Sequence, residues 1–238
     1  MRILFFTENF PPETNAAATR VFERAVYWAK WGHDITIITC FPNFPDGTIF
    51  SGYENKWYKK EIIDGIKVVR VKTYIAPNKG VFKRSLDFFS FFFTGLIAGL
   101  FQPRPNVIVA TSPQPFSAVA GWALSCVTRR PFIFELGDLW PRSMYAVGIV
   151  KPGFLFSIME SLELFLYRQS ACVVALTQAF KLNLVNRNIP ETKIHVVING
   201  VDLPRYQNID ENSQLFSNLG LENKFVVGYV GTLGMAHN

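Results

Sequence analysis

Four short segments of this 238-residue chain carry side chains or glycines whose spacing suits chemistry, and each lies at the end of an apolar run. The first is Glu8-Asn-Phe-Pro11-Pro12-Glu13-Thr14-Asn15-Ala16, which leads into a helix-like stretch. A helix start offers free N–H groups to an anion or a sugar hydroxyl, and the small residues 16 to 18 would let a ligand come close. The same residues equally suit a plain helix start, capped by Thr14 or Asn15, with Pro11 and Pro12 stiffening the loop. No Gly-x-Gly-x-x-Gly fingerprint is present, which disfavours a dinucleotide.

The second segment is Phe134-Glu135-Leu-Gly137-Asp138-Leu139-Trp140-Pro141-Arg142-Ser143. Asp138 falls where a buried strand opens into a loop, a common place for a working carboxylate, and it is the candidate catalytic residue. Arg142 could reach a phosphate as a bidentate donor. The competing role for Asp138 is to cap the next helix, with Pro141 in its first turn. The third segment, Val196-Val-Ile-Asn199-Gly200-Val201-Asp202, puts Asn-Gly after a strand. Asn199 can aim its amide into a cleft or simply stabilise the tight turn. In the fourth, Gly228-Tyr-Val-Gly231-Thr232-Leu-Gly234, the glycines allow backbone N–H groups to face a diphosphate.

Other chemistries lack their residues. His33 follows Gly32 at a helix end, His195 begins a strand, and no Ser-His-Asp, paired-histidine or zinc spacing occurs, so no metal or other cofactor is expected. Cys40, Cys126 and Cys172 sit in apolar contexts without a CxxC pair and are expected to be reduced core residues of a cytoplasmic protein. The amino terminus has only a short apolar run and no small-residue cleavage site, as suits a first strand. Net charge is +6 and the isoelectric point near 9.3. A basic chain of this kind attracts phosphate in a nucleotide, a lipid diphosphate or an anionic membrane. Without a Lys/Arg-rich helix or arm, nucleic acid is not expected as a partner.

The elements that must position these groups follow an α/β rhythm. Apolar runs at Ile3–Thr7, Ile35–Cys40, Val107–Ala110, Phe132–Phe134, Val173–Leu176 and His195–Ile198 suit strands buried on both faces. Between the first two, Ala18, Val21, Phe22, Ala25, Val26 and Ala29 recur at helical spacing within Ala16–Trp31. Residues Glu61–Val71 break the rhythm as a β-hairpin turning at Asp64-Gly65, expected at one end of the sheet. The whole predicts a doubly wound, Rossmann-like parallel sheet with an inserted hairpin. A first domain is expected over 1–203, a connection over 204–224, and the start of a second domain over 225–238, where a new strand from Phe225 implies a continuing polypeptide.

One further stretch stands out. The uncharged run Phe88–Phe101 follows Lys83 and Arg84 and spans about 21 Å as a helix. That is too short for about 30 Å of bilayer hydrocarbon. It suits a helix buried against the sheet, or an interfacial anchor with Lys79, Lys83, Arg84 and Arg104 at the headgroups.

Taken in order, Arg2-Ile-Leu with Phe10-Pro-Pro, Trp31-Gly-His33-Asp-Ile-Thr, Asp138-Leu-Trp-Pro141, Asn199-Gly-Val-Asp202 and Gly231-Thr-Leu resemble the family-four retaining glycosyltransferases of GT-B fold. The resemblance covers essentially the whole chain and is strongest to bacterial enzymes of surface polysaccharide, including O-antigen amino-sugar transferases. It implies the amino-terminal, acceptor-side half of an enzyme that moves a sugar from a nucleotide donor, UDP-linked, with retention and without an essential metal. The acceptor would be a glycan or a polyprenyl-diphosphate-linked sugar, at the inner face of the cell membrane. Pro12, Thr14, Asn15 and Ala16 would face the donor phosphate or reacting sugar, Gly231 and Thr232 the diphosphate, and Asp138 the acceptor or sugar. The paired glycines common in the first loop of the family are Asn15-Ala16 here, and its Glu-x7-Glu donor motif would lie beyond Asn238. A nucleotide-binding Rossmann module and a non-catalytic remnant that binds lipid-linked glycan are the rival classes.

Overall fold

The computed structural model describes residues 1–75, 81–112, 114–148, 151–201, 203, 217–222 and 224–229. Residues Met1–Asn199 form one compact unit and Gly200–Asn238 a second.

The first unit is built on an eight-stranded sheet. In chain order its strands are β1 (Arg2–Phe6), β2 (Asp34–Cys40), β3 (Tyr58–Ile63), β4 (Ile66–Val71), β5 (Val107–Thr111), β6 (Phe132–Leu136), β7 (Cys172–Ala175) and β8 (Ile194–Val196). Their spatial order is β3-β4-β2-β1-β5-β6-β7-β8. All neighbours pair in parallel except β3 with β4, the hairpin at one edge. Its turn residues, Asp64 (φ 47°) and Gly65 (φ 79°), both occupy the left-handed region, as a two-residue turn between twisted strands requires. Strand β8 is shorter than its apolar run, because it has a partner on one side only and Ile198 already stands in solvent.

Side-chain alternation sends the two halves of each strand into separate cores. Ile3 and Phe5 pack with Ile35 and Ile37 under helix α1 (Ala16–Lys30), which buries Ala18, Val21 and Ala25. Gly32 at φ 81° ends that helix, and the His33 N–H returns to the Trp28 carbonyl. Leu4, Phe6, Ile38, Phe91, Leu124, Phe134 and Tyr167 form the other core. It lies under α2 (Val81–Leu100), α3 (Pro115–Thr128), α5 (Phe154–Gln169) and α6 (Gln178–Asn186). A short helix, α4 (Arg142–Ala146), follows Pro141.

Helix α2 thus lies against the sheet through Phe91 and Ala98, while Leu86, Phe89, Phe93, Ile97 and Leu100 face out. Among the described residues no helix is long and apolar enough to cross a membrane. The cysteines are not all core residues: Cys40 is buried, but Cys172 is only partly so and Cys126 is exposed, on the outer side of α3. Helical periodicity, not hydropathy of the neighbours, decides that side.

In the second unit, Gly220 adopts φ 61° in a turn whose N–H bonds to the Ser217 carbonyl. Residues 224–229 form no strand, contrary to the expectation from Phe225 onward; no neighbouring strand among the described residues pairs with them. Gly231 and Thr232, and most of the expected connection over 204–224, lie outside the described residues.

Candidate functional site

The sheet winds outward in one direction from β1 through β2 to the hairpin, and in the other from β5 through β6 and β7 to β8. The switch point therefore lies between β1 and β5, where a crevice beyond the carboxyl ends receives ligands in doubly wound sheets. Helices α1 and α3 start on its two sides. Asn15 caps α1, its Oδ1 accepting the Ala18 N–H at 2.9 Å. Gln114 caps α3 in the same way, accepting from the Ser117 N–H. In both residues the other end of the amide, Asn15 Nδ2 and Gln114 Nε2, is a buried donor without a hydrogen-bond partner. Each such orphan costs about 1–3 kcal/mol. Both stand at the amino termini of helices that flank the switch point.

The first loop is held by two buried charges. The Glu13 carboxylate accepts the backbone N–H groups of Asn43 (2.8 Å) and Phe44 (2.9 Å) and the Asn9 side-chain amide (2.8 Å), tying loop 8–15 to the loop after β2. Arg70, at the end of β4, is fully buried. It donates to the Pro11 and Cys40 carbonyls, pairs with Glu61 on β3, and stacks on the Tyr53 ring. The edge hairpin thereby carries the support for the Pro11-Pro12 turn.

The second segment is organised by Glu135, which is almost completely buried and receives Arg20 (3.2 Å) and Arg24 (2.5 Å) from α1. Arg20 also donates to the Thr111 hydroxyl at 3.1 Å. Burial depresses the Arg20 pKa, opposed by the Glu135 charge. Gly137 makes room for this arrangement: a Cβ there would run into Arg20 Nη2 and stand 2.8 Å from the Ser112 carbonyl oxygen. The Ser112 hydroxyl accepts the N–H groups of Gly137 (2.8 Å) and Asp138 (3.1 Å), joining the loop after β5 to the loop after β6.

Asp138 leaves this turn with its carboxylate accepting from the Ser143 hydroxyl at 3.0 Å. It does not cap α4, whose N-cap is Pro141, without a side-chain bond. Pro141 follows a cis peptide, as do Pro12 and Pro45, all in loops beyond the carboxyl ends of strands.

A third cluster sits on the hairpin side. Arg84 of α2 lies between Glu8 (3.4 Å) and Asp87 (3.2 Å). Burial lifts Glu8 to about 7 and Asp87 to about 6, outweighing Arg84 in both cases. The Ser90 hydroxyl links Asp87 to the wall of a cavity of about 740 Å³, donating to the Asp87 carbonyl and accepting the Tyr74 N–H, each at 2.7 Å. Trp57, Lys72, Asn55 and Thr94 also line that cavity, which opens beyond the carboxyl end of β4.

The expected site residues fall in separate places. Pro12, Thr14 and Ala16 are exposed around Asn15, and Arg20 carries α1 against Gly137, next to Asp138. Arg142 does not stand free for a phosphate: its Nε donates to Glu160 at 2.8 Å, in a chain that continues through Arg187 to Glu163 and Tyr167. Asn199 is exposed beyond β8, two strands from β6, which is about 10 Å across the sheet. Sequence reasoning passed over Gln114, Arg20, Arg70 and Glu8. A polar residue followed by proline, as in Gln114-Pro115, was the one local signal available, since it marks a helix start.

A doubly wound sheet with its crevice set this way is the amino-terminal half of the GT-B fold, and three comparisons bear this out. Residues 15–200 match the Glycosyl transferase 4-like domain, and the chain belongs to that family. The putative colanic acid biosynthesis glycosyl transferase WcaI of Escherichia coli K12 is 22% identical over 243 residues, covering 98% of this chain and 59% of that protein. The structure of Anabaena Alr3699/HepE in complex with UDP and glucose superposes with a TM-score of 0.61 at 19% identity, over 98% of this chain and 54% of that one. Sucrose-phosphate synthase of Thermosynechococcus elongatus gives 0.52 at 12% identity, over 92% and 99% of the two chains. The chain thus spans somewhat over half the length of WcaI and HepE.

Proposed function

We propose that the chain is the acceptor-side half of a glycosyltransferase that moves a sugar from a UDP-linked donor to a glycan or polyprenyl-diphosphate-linked acceptor, with retention, in polysaccharide synthesis at the cytoplasmic face of the cell membrane. The observation that carries this reading is the pair of buried, unpartnered amide donors, Asn15 Nδ2 and Gln114 Nε2, on the two sides of the switch-point crevice. Hydroxyl-rich sugars and phosphate oxygens supply the acceptors these donors lack. In this role Asn15 and Gln114 orient the ligand, and the exposed Pro12, Thr14 and Ala16 form the rim. Asp138, whose carboxylate is steadied by Ser143, contacts the acceptor or the reacting sugar. Arg142 and Asn199 would join only when the ligand extends beyond the crevice, and Gly231 with Thr232 would meet the donor diphosphate. The sugar nucleotide is a substrate, and the reading assigns no cofactor.

The side-chain NH2 resonances of Asn15 and Gln114 provide the test. The chain is titrated with UDP, UDP-GlcNAc, UDP-glucose and short-chain prenyl-diphosphate sugars, with calorimetry on the same samples. The expected result is a saturable shift of both amide pairs with a sugar-bearing ligand, and loss of the calorimetric binding signal in Asn15→Ala and Gln114→Ala. If neither amide pair responds to any of these ligands at millimolar concentration, the assignment of the crevice is wrong.

A further inference from the structure

Helix α2 carries apolar side chains on both of its faces. Inward it contributes Phe91 and Ala98 to the core. Outward, Leu86, Phe89, Phe93, Ile97 and Leu100 recur every three or four residues and form one ridge about 21 Å long. Phe93 and Ile97, at the middle of the ridge, are 58% and 54% exposed. Beside the ridge runs edge strand β3, whose Tyr58, Lys60 and Ile62 stand on the α2 side of the sheet and whose Ile62 is 75% exposed. A contiguous apolar surface of this size marks a binding face.

The charges around it select the occupant. Lys72 lies 4.7 Å from the Trp57 ring and Lys60 5.6 Å from the Tyr58 ring. Neither they nor the exposed Lys83 form an ion pair among the described residues. The carboxylates of the two elements, Asp87 on α2 and Glu61 on β3, are each matched by an arginine. The face is therefore apolar with a positive, aromatic margin, the composition that settles at an anionic lipid–water boundary. A two-fold pairing of this face with a second copy would bring these lysines against their own equivalents.

We propose that the α2 ridge, with the β3 edge beside it, docks along the surface of an anionic lipid bilayer. The helix lies in the interface without crossing it, its aromatic and aliphatic side chains among the upper acyl chains and Lys60, Lys72 and Lys83 at the headgroups. The ridge leads up to the 740 Å³ cavity, which shares Trp57 and Thr94 with a smaller trough of about 470 Å³ between α2 and β3. If the chain acts on a lipid-linked acceptor, as the reading above holds, the acceptor's head would reach the cavity from the membrane plane. The docking itself does not depend on that reading, because its readout is lipid binding alone.

The test is flotation of the 238-residue chain with vesicles of phosphatidylcholine, with and without phosphatidylglycerol, at low and moderate salt. Binding to the anionic vesicles, weakened by salt, is expected. Phe93→Glu/Ile97→Glu should lower the partition coefficient by at least about tenfold, and Lys60→Glu/Lys72→Glu should remove the preference for phosphatidylglycerol while leaving the ridge intact. Both pairs are at the surface, and circular dichroism confirms that the fold is kept. The proposal is overturned if the wild-type chain ignores anionic vesicles at low salt, or if the ridge variant floats as well as wild type. It is equally overturned if light scattering finds a dimer that Phe93→Glu converts to a monomer.

Discussion

Replacing Gly137 with alanine should destabilise the chain far more than a single methyl group on a loop would suggest. Its φ lies outside the left-handed region, so alanine meets no backbone penalty there and the effect is one of space alone. The new Cβ would overlap Arg20 Nη2, stand 2.9 Å from Nη1, and stand 2.8 Å from the Ser112 carbonyl oxygen. The guanidinium can retreat only by loosening its contacts with Glu135 and Thr111, which are buried. Arg24 would still neutralise Glu135, so the loss is that of one charged hydrogen-bonded contact, about 1.5–3 kcal/mol, with about 1 kcal/mol or more for overpacking against backbone. A total near 3 kcal/mol corresponds to a drop in Tm of roughly 6–12 °C for a chain of this size. Urea and thermal melts of wild type, Gly137→Ala, Arg20→Ala and the double variant form a cycle. If the clash with Arg20 is the cause, Gly137→Ala costs at least about 1 kcal/mol less in the Arg20→Ala background. A Gly137→Ala variant within about 0.5 kcal/mol of wild type, or strictly additive effects, would refute the reasoning.

Four further outcomes are expected. A carboxyl whose folded pKa is raised favours the fold while protonated, so the contributions of Glu8 and Asp87 are present below about pH 4 and are lost as pH rises through 6 and 7. Stability should fall between pH 5 and 8 by an amount on the order of 3 kcal/mol, and Glu8→Gln should flatten that slope and melt higher than wild type at pH 8; an unchanged slope contradicts it. Despite partial burial, Arg70 and Lys59 hold Glu61 below the ordinary range, so its effect appears only in acid and does not confuse this window. Arg70→Met should cost about 1–3 kcal/mol by leaving the Pro11 and Cys40 carbonyls without their donor, while Glu61 keeps Lys59, with faster hydrogen exchange at the amides of residues 9, 10 and 13 as the local readout. Asn15→Ala should cost about 1 kcal/mol through the lost cap in addition to its effect on ligand binding, whereas Asn15→Ser should restore the stability but not the binding. Finally, a disulfide reagent should modify Cys126 quickly in the native chain and Cys40, whose pKa burial raises strongly, only after unfolding.

The strands of the first unit were legible because a sheet buried on both faces leaves continuous apolar runs, and its six predicted runs fall on strands to within about two residues, whereas the strand expected from Phe225 did not form. The hairpin was equally plain, since Asp64-Gly65 satisfies a local backbone demand. What stayed hidden was long-range. Arg20 and Arg24 lie more than a hundred residues from Glu135 in sequence, and nothing in the local pattern of either segment states that they meet. Gly137 was visible as part of a Glu-x-Gly-Asp turn, but the reason for a glycine there is a guanidinium from another helix. Arg142 looked available for a phosphate because its partner, Glu160, sits on a helix that hydropathy alone did not orient. The loop at Asn15 was legible as a helix start; that half of its amide stays unpaired depends on how tightly the crevice closes around it, which only coordinates reveal.

The dependence of the Pro11-Pro12 turn on Arg70 has a consequence for exchange of parts between relatives. The hairpin resembles an add-on at the sheet edge, the kind of element that recombination or engineering would swap as a module. Yet its second strand carries, one residue from its end, the arginine that grips the carbonyl of Pro11, and its first strand carries the glutamate that grips the arginine. A graft of residues 58–71 from another member would therefore bring a foreign support to the rim of the crevice. Hairpin and first loop must travel together, and a chimera that moves one without the other would keep its sheet and lose its ligand.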